Sequence, residues 1–283
     1  MTDISTIFEN LEEVRATTPL VHNITNFVVM NTTANALLAL GASPIMAHAP
    51  EEMDDLIGIV GGLVINIGTL RGPWIESMIK AGTAASERGI PVVFDPVGAG
   101  ASRLRTDTAV TIMNECNPTI LRGNASEILT VAAATGAADK QRVAAALAAA
   151  GGANRGVDST HSGEGISDVA SDLANEYGCT VIISGPSDTI TDGDSLITVT
   201  GGHNLMTKVT GMGCTASALC GAFAVTAGDP FDASVSAMAV MSAAGAVAAA
   251  QSQGPGTLQM HFYDALHNLT REQLEQAIEL EWM

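Results

Sequence analysis

The stretch Gly62–Gly100, GLVINIGTLRGPWIESMIKAGTAASERGIPVVFDPVGAG, decides how this chain folds. It opens on a short apolar run, LVINI, bounded by glycines, which reads as a strand buried on both faces. Pro73 stands where the first turn of a helix tolerates proline, because an N–H at that position has no partner to lose. The following segment reads as a helix, and Gly89 supplies its stop. A second apolar run, IPVVF, then ends on Asp95 and a glycine-rich turn. Strand, helix, strand in one piece of chain implies parallel strands joined by a crossover, the unit of a sheet covered on both faces.

The alternation continues in both directions. Upstream, Ile4, Ile7, Phe8, Leu11 and Val14 keep helical spacing, and PLVHNITN runs from a strand into a polar loop. NTTANALLALG is a helix closed by Gly41, SPIMAHA a short strand, and PEEMDDLIGIVG a helix opened by Pro50. Downstream come RTDTAVTIMNEC as helix, PTILRGN as strand and ASEILTVAAATG as helix, with Gly151 at a further helix end. The Gly-, Ser- and Asp-rich residues 154–168 are expected to form an exposed loop before the strand TVIISG. TITDGDSLITVT reads as a β-hairpin with Asp192-Gly193 at positive φ. The remainder is expected to be mainly helical, including the Ala-rich residues 233–250. No repeat or composition break divides the chain. Residues 1–283 therefore read as one α/β domain with a mostly parallel central sheet and helices on both faces.

Composition narrows the function. Thirty acidic against twelve basic residues give a formal charge of −18, and only Lys80, Lys140 and Lys208 are lysines. Such a surface repels nucleic acid. A halophilic cytoplasm accounts for it economically, since high salt screens the self-repulsion. No apolar run is read as reaching bilayer length, and the first residues carry acidic side chains rather than a basic leader, so a cytoplasmic location is expected. The four cysteines show neither a Cys-x-x-Cys pair nor a His partner at metal spacing. Cys116, Cys179 and Cys220 read as buried inert thiols.

In a parallel α/β sheet, ligands gather at the carboxyl ends of the strands. Four polar loops follow strands there: HNITN, DPVGAG, RGNASE and SGPSD; a glycine turn, GMGC, comes later. Gly211 and Gly213 let consecutive N–H groups converge where a helix begins, a place suited to phosphate or a developing oxyanion. Cys214, in the first turn, is expected to have a lowered pKa and to take a proton from an alcohol or act as nucleophile; the alternative is a packing residue in an ordinary turn. Asp95 either orients a hydrated magnesium ion or caps the next helix. Arg122 offers a forked cation to phosphate oxygens, and Glu127 either joins a metal site or complements a helix dipole. Lys208 is a further cation near the GMGC turn. The histidines form no metal signature and read as structural or solvated, with His22 fixing a loop.

These blocks resemble the hydroxyethylthiazole kinase family. PLVHNITNFVVMNTTANALLALGASPIMAHAPEEM, LVINIGTL, PVVFDPVGAG, ILRGNASEI, GVDS, IISGPSD and VTGMGC fall in the family's order from Pro19 to about Cys220. The HNITN block with DPVGAG and RGNASE is specific to that family; the glycine turns are shared by ribokinase-like enzymes generally. The resemblance implies a ribokinase-like fold, a homotrimer with active sites between subunits, and MgATP-dependent phosphorylation of the primary alcohol of 4-methyl-5-(2-hydroxyethyl)thiazole in thiamine salvage. By motif match, Asn26, Val28, Met46 and Gly211 would contact the thiazole, and Arg122 and Ser184 the ATP. Asp95 and Glu127 are the Mg2+ candidates. Cys214 would stand where most ribokinase-like kinases carry an aspartate base. Ser184 and Met212 replace the threonines common at their positions.

Competing readings are a hydroxymethylpyrimidine kinase, which the HNITN block and the cysteine do not suit, and an ATP-dependent NAD(P)H-hydrate dehydratase, which would carry Asp at position 214. A non-catalytic thiazole-binding protein is disfavoured by Arg122, Glu127 and Cys214 standing together. A cysteine hydrolase needs a His base near Cys214, and His203 is the local candidate.

Overall fold

The computed structural model describes residues 2–149 and 160–283. The strands the alternation calls for are present: β1 (Leu20–Ile24), β2 (Ser43–Ile45), β3 (Gly62–Asn66), β4 (Val92–Asp95), β5 (Ile120–Asn124), β6 (Thr180–Ser184), β7 (Ser187–Thr191) and β8 (Leu196–Gly201). A ninth, β9 (Ile278–Trp282), lies where the sequence reading expected helix. They form one sheet in the order β2-β1-β3-β4-β5-β6-β7-β8-β9. The pairings from β2 through β6 are parallel, and those from β6 to β9 are antiparallel.

Successive strand residues point to opposite faces, so each central strand feeds two cores. Val64, Val93, Ile120 and Ile182 pack on one side with α1 (Ile4–Thr17), α2 (Met30–Leu40), α9 (Met212–Thr226), α10 (Pro230–Ala250), α11 (Pro255–Asn268) and α12 (Arg271–Ala277). Leu63, Ile65, Phe94, Leu121 and Val181 pack on the other. There they meet α3 (Met53–Ile57), α4 (Gly72–Glu87), α5 (Arg103–Cys116), α6 (Ala125–Thr135), α7 (Lys140–Ala149) and α8 (Thr160–Tyr177). The helix α9 lies flush on β1 and β3 because Gly221 leaves no side chain in the way. A Cβ there would sit 2.5 Å from Val64 Cγ2.

Pro50 and Pro73 open a 3₁₀ turn (Pro50–Glu52) and α4, and Gly41 closes α2 at φ 112°. Three further expectations need correction. The helix α8 begins at Thr160, so residues 160–168 are not loop; packing on α6 and α7 overrides the weak propensity of its Gly and Ser. Residues 154–159, the GVDS block and Gly151 lie outside the described residues. In the β7–β8 hairpin only Gly193 has positive φ, and Asp192 instead accepts the N–H groups of Asp194 and Ser195 through Oδ1. Finally, α10 is long and apolar enough to cross a bilayer, yet 78% of that span is buried inside the protein, packed by α1, α9, α11 and α12.

Candidate active site

Register brings the polar strand ends into one row. Asn66 ends β3 opposite Asp95 at the end of β4, and Asn124 ends β5 opposite Ser184 at the end of β6. Asn26 follows β1 by two residues, and Arg122 sits inside β5, only 9% exposed. The first turn of α9, which packs across β1, β3, β4 and β5, closes over this row.

Arg122 is the cation at its centre. Its Nε donates to Ser184 Oγ at 3.0 Å, and Nη1 lies 3.7 Å from Asp95 Oδ2. Gly213 gives the guanidinium room: a Cβ there would be 2.9 Å from Nη1. Two buried carboxylates share this one cation. Burial pushes Asp95 up to about 6, with Arg122 and the Ser217 hydroxyl pulling it back. Burial likewise pushes Asp188 up to about 6 against the pull of Arg122 and the Gly185 N–H.

Between its ordinary value and about 6, folded Asp188 holds a proton that the unfolded chain releases, so its stabilising contribution is lost as pH rises through about 6. Asp188→Asn should therefore gain stability relative to wild type as pH rises from acid to neutral in urea unfolding. A difference constant with pH would contradict the buried carboxylate.

Asp95 does not cap α5; Ser102 does, accepting from Arg105 N. Asp95 Oδ2 accepts from Ser217 Oγ at 2.6 Å and from Asn66 Nδ2 at 3.0 Å, while Oδ1 is buried with no protein partner. An orphaned carboxylate oxygen in a row of polar strand ends fits a hydrated cation. Glu127 is committed to the backbone: Oε1 accepts from Gly98 N at 2.8 Å and Oε2 from Asn124 N at 2.9 Å. It clamps the DPVGAG turn to the start of α6 as part of a capping box with Asn124. Among the described residues no group of three or more His, Cys, Asp or Glu is placed to hold a metal ion.

Cys214 is the third residue of α9. Gly211 caps that helix at φ 85° with no side-chain hydrogen bond, and a Cβ on Gly211 would be 2.6 Å from Val29 Cγ1. With no side-chain cap, the leading N–H groups of α9 have no intrahelical partner. The expected pKa of Cys214 is overturned. Burial, and then the neighbouring Asp95 charge, push the thiol above its ordinary value, outweighing the pull of the Asn66 and Asn26 side chains, of which Asn26 is the one within hydrogen-bond distance of Sγ. Helix-start logic is local; the burial that reverses it, and the carboxylate from β4 that adds to it, are set by the tertiary fold. Cys116, Cys179 and Cys220 are buried and pushed up to about 12.

A cavity of ≈ 780 Å³ opens beside Arg122 and Ser184. Met206, Val209, Met238 and Met241 give it an apolar wall, and Gly211, Met212 and Gly213 close the end nearest Cys214. Asn26 is buried against Cys214, with Nδ2 3.4 Å from Sγ. Met46 is half-buried against the core, whereas Val28 is 64% exposed. Lys208 is exposed at the end of a 3₁₀ turn (Asn204–Lys208) and is not part of the cavity lining. His22 does fix a loop, through Ala47 O at 3.0 Å, and His48 stacks on Trp74 with ring centroids 4.1 Å apart. His203 lines the cavity, but its Nδ1 caps the 3₁₀ turn. The group donating to Cys214 is an asparagine.

The residue reading missed Asn66, Asp188, Ser217 and Arg105. Asn66 had a signal, a polar residue ending a buried strand as Asp95 does. Arg105 ties the loops after β3 and β4 together, donating to the Ile67, Val97 and Gly68 carbonyls. Ser217 lies one helical turn beyond Cys214, among small residues that gave no hint of it.

Fold and site together define a ribokinase-like α/β protein that points a buried cation and an open helix start at one cavity. The hydroxyethylthiazole kinase family model matches residues 11–272, and the chain belongs to this family of phosphotransferases. It is 54% identical over 272 residues to the hydroxyethylthiazole kinase of Nitratidesulfovibrio vulgaris (Miyazaki F), covering 96% of each chain. The hydroxyethylthiazole kinase structure from Pyrococcus horikoshii OT3 superposes with a TM-score of 0.86 at 39% identity, covering 99% of each chain. Pyridoxal kinase from Staphylococcus aureus with ADP gives a TM-score of 0.64 at 14% identity, covering 94% of this chain and 99% of that one, a likeness of fold alone.

Proposed function

We propose that this chain, acting as one domain, transfers the terminal phosphoryl group of ATP to the primary alcohol of 4-methyl-5-(2-hydroxyethyl)thiazole, a step of thiamine salvage. The observation that carries the chemistry is the convergence of Arg122, the uncapped start of α9 and the orphaned Asp95 Oδ1 on one row. In this reading the adenosine occupies the cavity, and Arg122 and Ser184 hold the phosphates. The Met212, Gly213 and Cys214 amides face the charge that builds on the transferring group. A hydrated Mg2+ would supply charge neutralisation on the phosphates, with Asp95 Oδ1 and the remaining lone pairs of Glu127 as the groups that fit it. Asn26, Val28, Met46 and Gly211 contact the thiazole, and Cys214 takes the alcohol proton. Because burial keeps the resting thiol protonated, only a small thiolate fraction is reactive near neutral pH, and positioning supplies most of the rate.

The exposure of Phe27 (51%) and Val28 (64%) beside this site supports a homotrimer in which a neighbouring subunit covers the thiazole. Sedimentation should then give three times the chain mass. The charge of −18 supports a salt-rich cytoplasm, and the melting temperature should climb with KCl beyond physiological levels. A melting temperature indifferent to salt would remove the halophilic reading. The activity is tested in high KCl with MgATP and the thiazole alcohol, following the thiazole phosphate by mass spectrometry. The reading requires product that disappears when magnesium is chelated. No product from folded trimer would overturn it.

A further inference from the structure

Two backbone amides fix how a pair of buried asparagines faces. Val28 N–H donates to Asn26 Oδ1 at 3.1 Å, and Gly68 N–H donates to Asn66 Oδ1 at 2.9 Å. A backbone N–H cannot accept, so each contact identifies the side-chain oxygen. The amide nitrogens follow. Asn66 Nδ2 donates to Asp95 Oδ2 at 3.0 Å. Asn26 Nδ2 carries two hydrogens and meets two acceptors, Asn66 Oδ1 at 3.0 Å and Cys214 Sγ at 3.4 Å. Both side chains are buried, Asn66 1% and Asn26 5% exposed. Gly68 makes the arrangement sterically feasible, since a Cβ there would lie 2.6 Å from Asn26 Nδ2.

We propose that Asn66 is a positioning residue for the reaction: held by Asp95 and the Gly68 amide, it locks the Asn26 side chain so that one N–H stays aimed at the Cys214 sulfur. That N–H favours the thiolate, which accepts it, over the thiol. The catalytic part of this inference rests on the reading of Cys214 as proton acceptor. The structural part, that Asn66 controls the reactivity of Cys214 through Asn26, does not.

The test uses the full-length chain without substrates. Iodoacetamide is added at about pH 8.5 and carboxamidomethylation of Cys214 is followed by peptide mass mapping, since the thiolate is the reacting species. Asn66→Ala should slow modification of Cys214 by about fivefold to tenfold, roughly a unit of thiol acidity. Asn26→Ala should slow it as well, and the double variant should be no slower than Asn66→Ala alone, because the Asn26 N–H is aimed at the sulfur only while Asn66 holds it. In turnover, Asn66→Ala should lower kcat while leaving KM for ATP unchanged. If Asn66→Ala does not fold, Gly68→Ala, which crowds Asn26 directly, should give the same slowing. Modification at or above the wild-type rate, or effects of the two single variants that multiply, would overturn the proposal. A fully active Cys214→Ser would sink the proton-acceptor reading instead, leaving the modification result to stand or fall alone.

Discussion

Cys214→Ser should keep its fold and lose turnover by about a hundredfold or more, the usual worth of a positioned base. The side chain is small, half-buried and engaged by one weak contact, Asn26 Nδ2 at 3.4 Å, so a hydroxyl fits the space. A serine hydroxyl ionises far less readily than a thiol and cannot collect the alcohol proton as the phosphoryl group moves. Cys214→Asp should retain activity. A carboxylate at that position is ionised over a wider pH range even after burial and the Asp95 charge raise its pKa. The measurement is single-turnover phosphoryl transfer for the three proteins at matched folded fraction. Wild-type turnover in Cys214→Ser would remove the base role outright.

Arg122→Ala is expected to fail in stability as well as in activity. The side chain is the shared counter-charge of Asp95 and Asp188, both buried. Removing one partner of a buried pair leaves charge uncompensated and costs about 3–5 kcal/mol. That cost should shrink at acid pH, where both carboxylates take up protons and need no partner. If Arg122 holds the phosphates as proposed, they also lose their forked donor, and kcat/KM for ATP should fall by about a hundredfold or more. Arg122→Lys should recover much of the stability and little of the activity, because an ammonium cannot reproduce the Nε contact to Ser184 Oγ while facing a phosphate. Urea unfolding at acid and neutral pH reads the first effect. A stability loss independent of pH would show that Arg122 serves packing rather than charge.

Much of the architecture was legible because parallel strands covered on both faces are continuous apolar runs, and LVIN and VVFD are such runs. The polar residues ending them announced where ligands would gather. The loop reading of residues 160–168 failed because propensity judged Gly and Ser alone, while Val169, Ala170 and Leu173 anchor α8 to the core. β9 is different. Ile278, Leu280 and Trp282 alternate with exposed Glu279 and Glu281, a strand signal at an edge that was open to reading beside its helical neighbours. Within the site, sequence supplied the residue types but not their couplings. The helix start suggested an acidic thiol, and no local pattern could show that the fold would bury it and bring the charge of Asp95, 119 positions earlier in the chain, to bear on the same sulfur. Asn66 and Ser217 likewise matter through partners far away in sequence.

The proposed mechanism requires a neutral, half-buried Cys214 to lose its proton before it can take one from the alcohol. The pH–rate profile under saturating MgATP and thiazole alcohol tests it most directly. Since burial holds the thiol above its ordinary value, kcat should keep rising with pH from 7 through about 9, each unit adding thiolate. The profile of Cys214→Asp should be flat across that range. A wild-type profile already level at pH 7, or the same slope in both proteins, would contradict the account.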